Sequence, residues 1–433
     1  MANFKEEWAT SSQHQTFTIT LSAESAVIHL KDSCVQTTAN RFSFVSASLA
    51  LIVTYVTSAV PIPLYGTYQL HDHVSYWQLS LSSVVYFIGA VTALVLLGRL
   101  SNHWGRKPVA LLSLMLAALS VAVFVNVHSA PPLIVGRLLQ GLSCGLASTA
   151  LASWLVDHAR SVPSWIPAAV ISCGPMTGLT LGGVGSGFLI EYAPYPRQLP
   201  FVAALVLIAG CLLLMAKSQE TMPRKPGSIK SLRPTFTLPA SAKKAFPLAA
   251  CTFVCTWALG GFFQAFGPAM AREQLHSQSA IAAALVFASI MAPSSIGASL
   301  AGRMTAAKAQ FTGMLVFSVF VGGVLLALQH GVLTGFLIAS ICAGIAQGMV
   351  LTGSIGTMVN GLQPEERANV FAVIYSTSYA GAAIPTLISG QLSSHFSLLQ
   401  IACGYGLLAL FGSVVVLTRR LIKNPRQTSR EMP

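Results

Sequence analysis

The apolar residues of this chain are gathered into long runs, and that grouping constrains the fold more than any other feature. An α-helix needs about 20 mostly apolar residues to cross roughly 30 Å of hydrocarbon. Runs of this length lie at Phe44–Ile62, Leu79–Leu97, Val109–Val127, Leu133–Val156, Ile166–Leu189 and Leu199–Ala216. After a polar gap they resume at Phe246–Phe266, Ala280–Leu300, Phe311–Leu328, Leu333–Thr357, Ala368–Leu392 and Leu398–Leu417. They are continuously apolar, whereas barrel strands alternate over about ten residues. The spacing therefore predicts an all-α integral membrane protein, with twelve transmembrane helices in two six-helix bundles.

Charge decides how those spans are oriented. Charged residues make up 9% of the 433 residues and hydrophobic ones 54%, against about 25% charged in a soluble domain. A soluble protein, a disordered chain and a secreted disulfide scaffold are all excluded. The net charge of +13 would suit nucleic acid only if the basic residues formed a soluble face. They do not: 22 of the 25 fall in the two tails, the even-numbered loops and the middle loop. Only Arg197 and Arg272 fall in odd-numbered loops, and Arg137 alone lies well inside a span. Cytoplasmic loops carry such an excess, so both termini are expected in the cytoplasm and the spans in the cytoplasmic (inner) membrane. Anionic headgroups of the bilayer suffice as partners for the charge, and no nucleic acid is implied.

The resulting division is a cytoplasmic N-terminal tail at 1–43, a six-helix bundle at 44–216 and a basic linker at 217–245. A second six-helix bundle at 246–417 and a cytoplasmic tail at 418–433 complete it. The first 40 residues are rich in Ser, Thr and Gln, and Lys5-Glu6-Glu7 is followed by no apolar core, so no cleaved signal is expected. Seven of the eight cysteines lie in spans, with Cys251 and Cys255 one turn apart, and read as small packing residues. No zinc spacing, nucleophile elbow or G-x-x-x-x-G-K-[ST] loop occurs. An enzyme, a metal site and a cofactor are accordingly not expected.

The two halves echo one another. Gly98-Arg99-Leu100-Ser101 returns as Gly302-Arg303-Met304-Thr305 after 204 residues, Gln140-Gly141 as Gln347-Gly348 after 207, and Pro175 as Pro385 after 210. Matches at nearly one offset, in corresponding spans, point to parallel repeats of the kind used by secondary transporters.

From about Phe44 to Leu417 the chain resembles the major facilitator superfamily. The most specific likeness is to the pattern G-x-L-[AS]-[DN]-R-x-G-R-[RK] after the second span, met by Gly98, Leu100, Ser101, Asn102, Gly105, Arg106 and Lys107. Asn102 stands where Asp is commoner and His103 where Arg is usual. The resemblance implies a conformational latch between the halves, with Arg106 paired to Asp157 and Asn102 near the start of the eleventh helix. The alternative is that these cations merely anchor the basic face. An R-x-x-Q-G motif follows in the fourth span as Arg137, Gln140, Gly141 and Gly145. It implies proton coupling or the grip of an anionic group; the alternative is a structural Arg held by carbonyls. Gly174-Pro175-Met176-Thr177-Gly178 resembles the antiporter signature G-P-x-x-G-G, although Leu179 replaces the second Gly of the pair. It implies a sealed seam and antiport; the alternative is ordinary glycine packing.

None of the twelve acids lies at mid-span, so proton handling would fall to Asp157 or to acids near the other face such as Asp72 and Glu191. Neutral or anionic amphiphiles are expected over strongly cationic ones. Tyr55, Gln140, Gln264, Gln347, Tyr375 and Tyr379 are candidate cavity residues, because polar groups within a bilayer need either water or one another. The expectation is a monomeric secondary active transporter that exports small amphiphilic or drug-like molecules in exchange for protons. The alternative is an importer or uniporter for a small organic anion or another metabolite.

Overall fold

The computed structural model describes residues 39–159, 162–163, 165–226, 238–362 and 364–423, with the side chains of 363–369 left undescribed. Most of the expected N-terminal tail, the middle of the linker and the last ten residues lie outside the described residues. Twelve helices are long and apolar enough to cross a membrane: α1 Ala39–His71, α2 Tyr76–Leu97, α3 Arg106–Phe124, α4 Ala130–Asp157, α5 Ile166–Tyr192 and α6 Leu199–Lys217. The second set is α7 Ala240–Gln274, α8 Ala280–Ala301, α9 Ala306–Gln329, α10 Leu333–Val359, α11 Val370–Leu392 and α12 Leu398–Ile422.

Several helices outrun the apolar runs, because a backbone ladder does not stop where the hydrocarbon does. α1 begins before Phe44 and continues past Ile62 through a 3-10 turn at Ile62–Leu64. Pro63 is tolerated there because the first turn has no donor to lose. α2 starts at Tyr76 instead of Leu79, on a capping box in which Ser75 Oγ accepts from Gln78 N and Gln78 Oε1 from Ser75 N. α7 begins at Ala240 and overruns Phe266 as far as Gln274.

The two largest apolar clusters run from Phe44 to Met215, where Tyr379 and Ala382 of α11 join the first bundle, and from Cys255 to Val416 in the second. Their kinship is visible in the packing. A Cβ on Gly141 of α4 would stand 2.1 Å from Tyr86 O of α2, and one on Gly89 of α2 would stand 2.7 Å from Leu138 O. At the corresponding places in the second bundle, a Cβ on Gly348 would collide with Ser294 O and one on Gly297 with Ile345 O. Small residues let these backbones touch, which is how helices associate where burial in lipid supplies no driving force.

The halves meet at the face that carries the odd-numbered loops. There a Cβ on Gly390 of α11 would lie 2.5 Å from Ser80 Cβ of α2, and one on Gly187 of α5 would lie 2.9 Å from Ala284 Cβ of α8. Tyr76 donates its hydroxyl hydrogen to Glu273. Arg272 Nη1 reaches Gly66 O at 3.2 Å. Glu191 at the end of α5 accepts from Ser279 Oγ at 2.6 Å and from Ile281 N at 3.1 Å, capping α8 across the divide. Toward the basic face the halves part.

Candidate functional site

The corner after α2 places the first group of residues. Gly105 turns the chain at φ +101°, a conformation open mainly to glycine, so that α3 starts on Arg106. Arg106 is buried; its Nε donates to Asp157 Oδ2 at 3.2 Å, and its Nη1 to Ser101 Oγ at 2.9 Å and Asn102 Oδ1 at 2.6 Å. Asn102 thus turns its oxygen to its own half; the side chains of 363–369, just before α11, lie outside the described residues. Lys107 Nζ reaches Ala216 O and Ser218 O at the end of α6. His158, buried beside Asp157, is held below the usual imidazole value by desolvation, against the smaller opposing pull of that acid.

Glu220 is an unanticipated member of this group. Its Oε1 accepts from Arg106 N and its Oε2 from Lys107 N, both at 2.9 Å. It thereby fills the orphan amides at the N-terminus of α3 with a negative charge. Thr221 Oγ1 adds a 2.8 Å bond to Asp157 Oδ2. The segment just past α6 is thus stitched to the loop between α2 and α3. The only trace in the sequence is an isolated acid just past a span; the partner it caps lies more than a hundred residues away.

Arg137 and Gln140 meet one turn apart on α4, and both serve the break in α1. Pro61 has no N–H, so Thr57 C=O has no helical donor four residues on; Gln140 Nε2 supplies one at 2.7 Å. Arg137 Nη1 donates to Ser58 O at 2.8 Å and Gln140 Oε1 at 2.9 Å. Its guanidinium carbon lies 4.7 Å from the centre of the Tyr86 ring and 6.0 Å from that of Tyr65. The side chain is 0% exposed, and its Nε and Nη2 have no hydrogen-bond partner among the described residues. Tyr86 separates the pair from the cavity described below. Gln140, anticipated as a cavity residue, is therefore placed behind the wall, because its amide is consumed by the orphan carbonyl.

The Gly174–Gly178 segment lies along α1. A Cβ on Gly178 would stand 2.5 Å from Ile52 O, while one on Gly174 would sit in ordinary contact at 3.6 Å from Ile52 Cγ1. Pro175 stays within a continuous helix and lines the cavity.

That cavity, of about 790 Å³, occupies the space between the halves and runs to Arg99 and Asn102 at the basic face. Tyr55, Gln264, Gln347, Tyr375 and Tyr379 all line it, and so do Gly98, Tyr86, Phe87 and Trp257. Trp257 stands edge-on to Tyr379 at 4.9 Å, and Phe87 lies 6.0 Å from the same ring. Tyr55 and Ser148 share a 2.6 Å hydroxyl bond. Among the described lining residues Arg99, at the mouth, is the one charged side chain. The arrangement can hold an apolar or aromatic body with hydrogen-bonding edges. Sequence reasoning passed over Tyr86, Phe87 and Trp257, because aromatics are common in spans and only a face count singles them out.

Residues 46–384 match the Major Facilitator Superfamily, and the chain belongs to that superfamily. It is thus a transporter-family membrane protein with small-molecule transport as the family's business. It is similar to the multidrug resistance protein MdtL of Klebsiella pneumoniae, 29% identical over 104 residues, or 24% of this chain and 26% of that one. It is also similar to the molybdate-anion transporter of Takifugu rubripes, 28% identical over 188 residues, or 40% of this chain and 38% of that one. The chain therefore spans well under half the length of these curated relatives. Among solved structures it superposes on a bacterial homologue of the human lysosomal transporter Spinster, in an inward-facing and unoccupied conformation, with a TM-score of 0.69. That match covers 89% of this chain and 98% of the other at 13% identity, a likeness of fold.

Proposed function

We propose that the protein is a proton-coupled secondary active transporter that exports small amphiphilic or drug-like molecules across the cytoplasmic membrane by alternating access. One observation carries this reading: the cavity between the bundles is open toward the basic face and closed at the other. With the positive loops in the cytoplasm, the structure is the inward-facing state of a rocking cycle. In this reading the chain works as a monomer, since the cavity is built within one chain. The tails at 1–43 and 418–433 and the linker at 217–245 are cytoplasmic, flanking bundles at 44–216 and 246–417. The Arg106–Asp157 pair and Asn102, with Gly98, Gly105 and Lys107, form the latch that re-forms against α11 when the cavity closes inward. Gly174, Pro175 and Gly178 form the seam on which α5 slides against α1.

Proton coupling finds support at the closed face. Glu191 and Glu273 bridge the two halves there, so protonating either would weaken the seal from the side where protons are plentiful. The likeness to a multidrug resistance protein supports the direction of transport. Reconstitution into proteoliposomes with an imposed pH gradient and an interior pH dye tests the reading across a compound panel. Substrate-dependent proton movement is the expected result; transport indifferent to the gradient would overturn it. A second reading, uptake of a small organic anion held by Arg137, is favoured by the two unpartnered nitrogens of that side chain and by the likeness to an anion transporter. A conformation that opened the Tyr86 layer would be needed to present them.

A further inference from the structure

The repeat gives the two halves equivalent glutamines, and the structure treats them unequally. Gln140 and Gln347 stand 207 residues apart, each just before the glycine on which its helix touches α2 or α8. Gln140 is engaged at both ends of its amide, accepting from Arg137 and donating to Thr57 O. The position 207 residues after Arg137 is Gly344, which has no side chain to donate and instead packs against the backbone of Ile290. Gln347 is only 6% exposed, its Oε1 has no hydrogen-bond partner among the described residues, and it lines the cavity. A buried, unpaired amide oxygen is a cost that a ligand's N–H or O–H removes.

Helix α7 faces it with a matching surface. Trp257, Gly260, Gly261 and Gln264 recur at i, i+3, i+4 and i+7, one helical face, and all four line the cavity. The Trp257 Nε1–H is buried with no hydrogen-bond partner among the described residues, and Gln264 is 8% exposed. Gly260 brings the helix close to its neighbours: a Cβ there would lie 3.0 Å from Met291 Cε and 3.9 Å from Gln347 Nε2. The aromatic rings of Tyr55, Phe87, Tyr375 and Tyr379 wall the same space. A primary amide offers donor and acceptor in one plane, and either flip of its O and N keeps both edges available.

We infer that Gln347, with Gln264 and Trp257, is the specificity-determining pole of the cavity, and that it reads a neutral, planar aromatic ligand carrying a carboxamide-like donor and acceptor. The aromatic wall takes the ring, and the glutamine amides pair with the polar edge. An ammonium group brought to this depth meets no counter-charge among the described lining residues and loses its water. A carboxylate can accept from the Trp257 and glutamine N–H groups, but it leaves the amide oxygen unpaired and also loses its water at this depth. This inference rests on the cavity being the substrate site, and it concerns binding alone, with no gradient or direction.

The test is equilibrium binding to the full-length protein in lipid nanodiscs, corrected for empty discs. The probes share one skeleton: 2-naphthamide, 2-naphthoate and a 2-naphthyl trimethylammonium ion. The amide is expected to bind about tenfold or more tightly than either ion, the equivalent of one or more net hydrogen bonds. Gln347→Leu is expected to lower amide affinity about tenfold and so to remove the amide's advantage over the two ions. Gln264→Met supplies a second variant should the first not fold, with thermal unfolding as the check on both. Equal binding of either ion, unaltered amide affinity in a folded variant, or no binding of any probe to the wild-type protein would overturn the inference. Because no pH gradient is applied, failure of proton-coupled export leaves the binding result standing, and the reverse also holds.

Discussion

Replacing Arg137 by Met separates a charge held for function from one held for the fold. The guanidinium makes two charge-assisted bonds, to Ser58 O and Gln140 Oε1, worth about 1.5–3 kcal/mol each. Its position over Tyr86 adds about 2 kcal/mol in a desolvated site. Against this stands a desolvation penalty of several kcal/mol for a buried ion. The donors left unpartnered on Nε and Nη2 cost about 1–3 kcal/mol per group. The two sides cancel within a few kcal/mol, and no carboxylate among the described residues pairs with Arg137. Arg137→Met, of similar length, should therefore leave stability within about 2 kcal/mol of wild type or raise it, as apolar replacement of buried ions often does. Proteoliposome transport driven by a pH gradient should fall to background. Thermal unfolding in detergent and the transport assay are run on one preparation. A loss of more than about 3 kcal/mol, the scale of breaking a paired buried ion, would mean the charge is structural. Normal stability with normal coupled transport would mean it serves neither purpose. Either outcome refutes the reasoning.

Other perturbations probe the loop, the seal and the topology. Arg106→Ala should insert at normal membrane levels yet lose transport, since Asp157, Ser101 and Asn102 all lose their common donor; full transport would reject the latch. Glu220→Gln should weaken the cap on α3 by about 1 kcal/mol and speed tryptic cleavage after Arg224, with unchanged digestion counting against the cap. Glu191→Gln should loosen the closed face and raise labelling of a Gln264→Cys reporter by an impermeant maleimide added outside. In a background lacking the native cysteines, Lys308→Cys should label only from the cytoplasmic side and Tyr195→Cys only from outside. The opposite pattern would invert the proposed orientation.

What could be read in advance was local. Each span must satisfy its own backbone and remain apolar for about 20 residues, so twelve helices are written in twelve contiguous stretches. The repeat, the latch loop and the Arg137–Gln140 pair are likewise short motifs whose members sit within a turn or two. Pro61 even announces that Thr57 C=O lacks a donor. Its partner, Gln140, is 83 residues away, and Glu220 caps an amide 114 residues away; such distances carry no sequence signal.

The face that each helix turns to the cavity was also hidden, for a reason peculiar to membranes. In water, a polar surface against an apolar core marks the buried face of a helix. Here lipid and interior are both apolar, so Leu213 is 67% exposed to the bilayer side while Ser80, Ser82 and Ser83 are buried. The sequence alone determined the helices, their number and the distribution of charge between their ends, because those follow from the solvent each segment must meet. Tertiary packing alone decided that Gln140 is spent on a broken helix and Gln347 faces an empty space. That difference depends on what stands opposite each residue: Arg137 beside one, and Gly344 in its place beside the other.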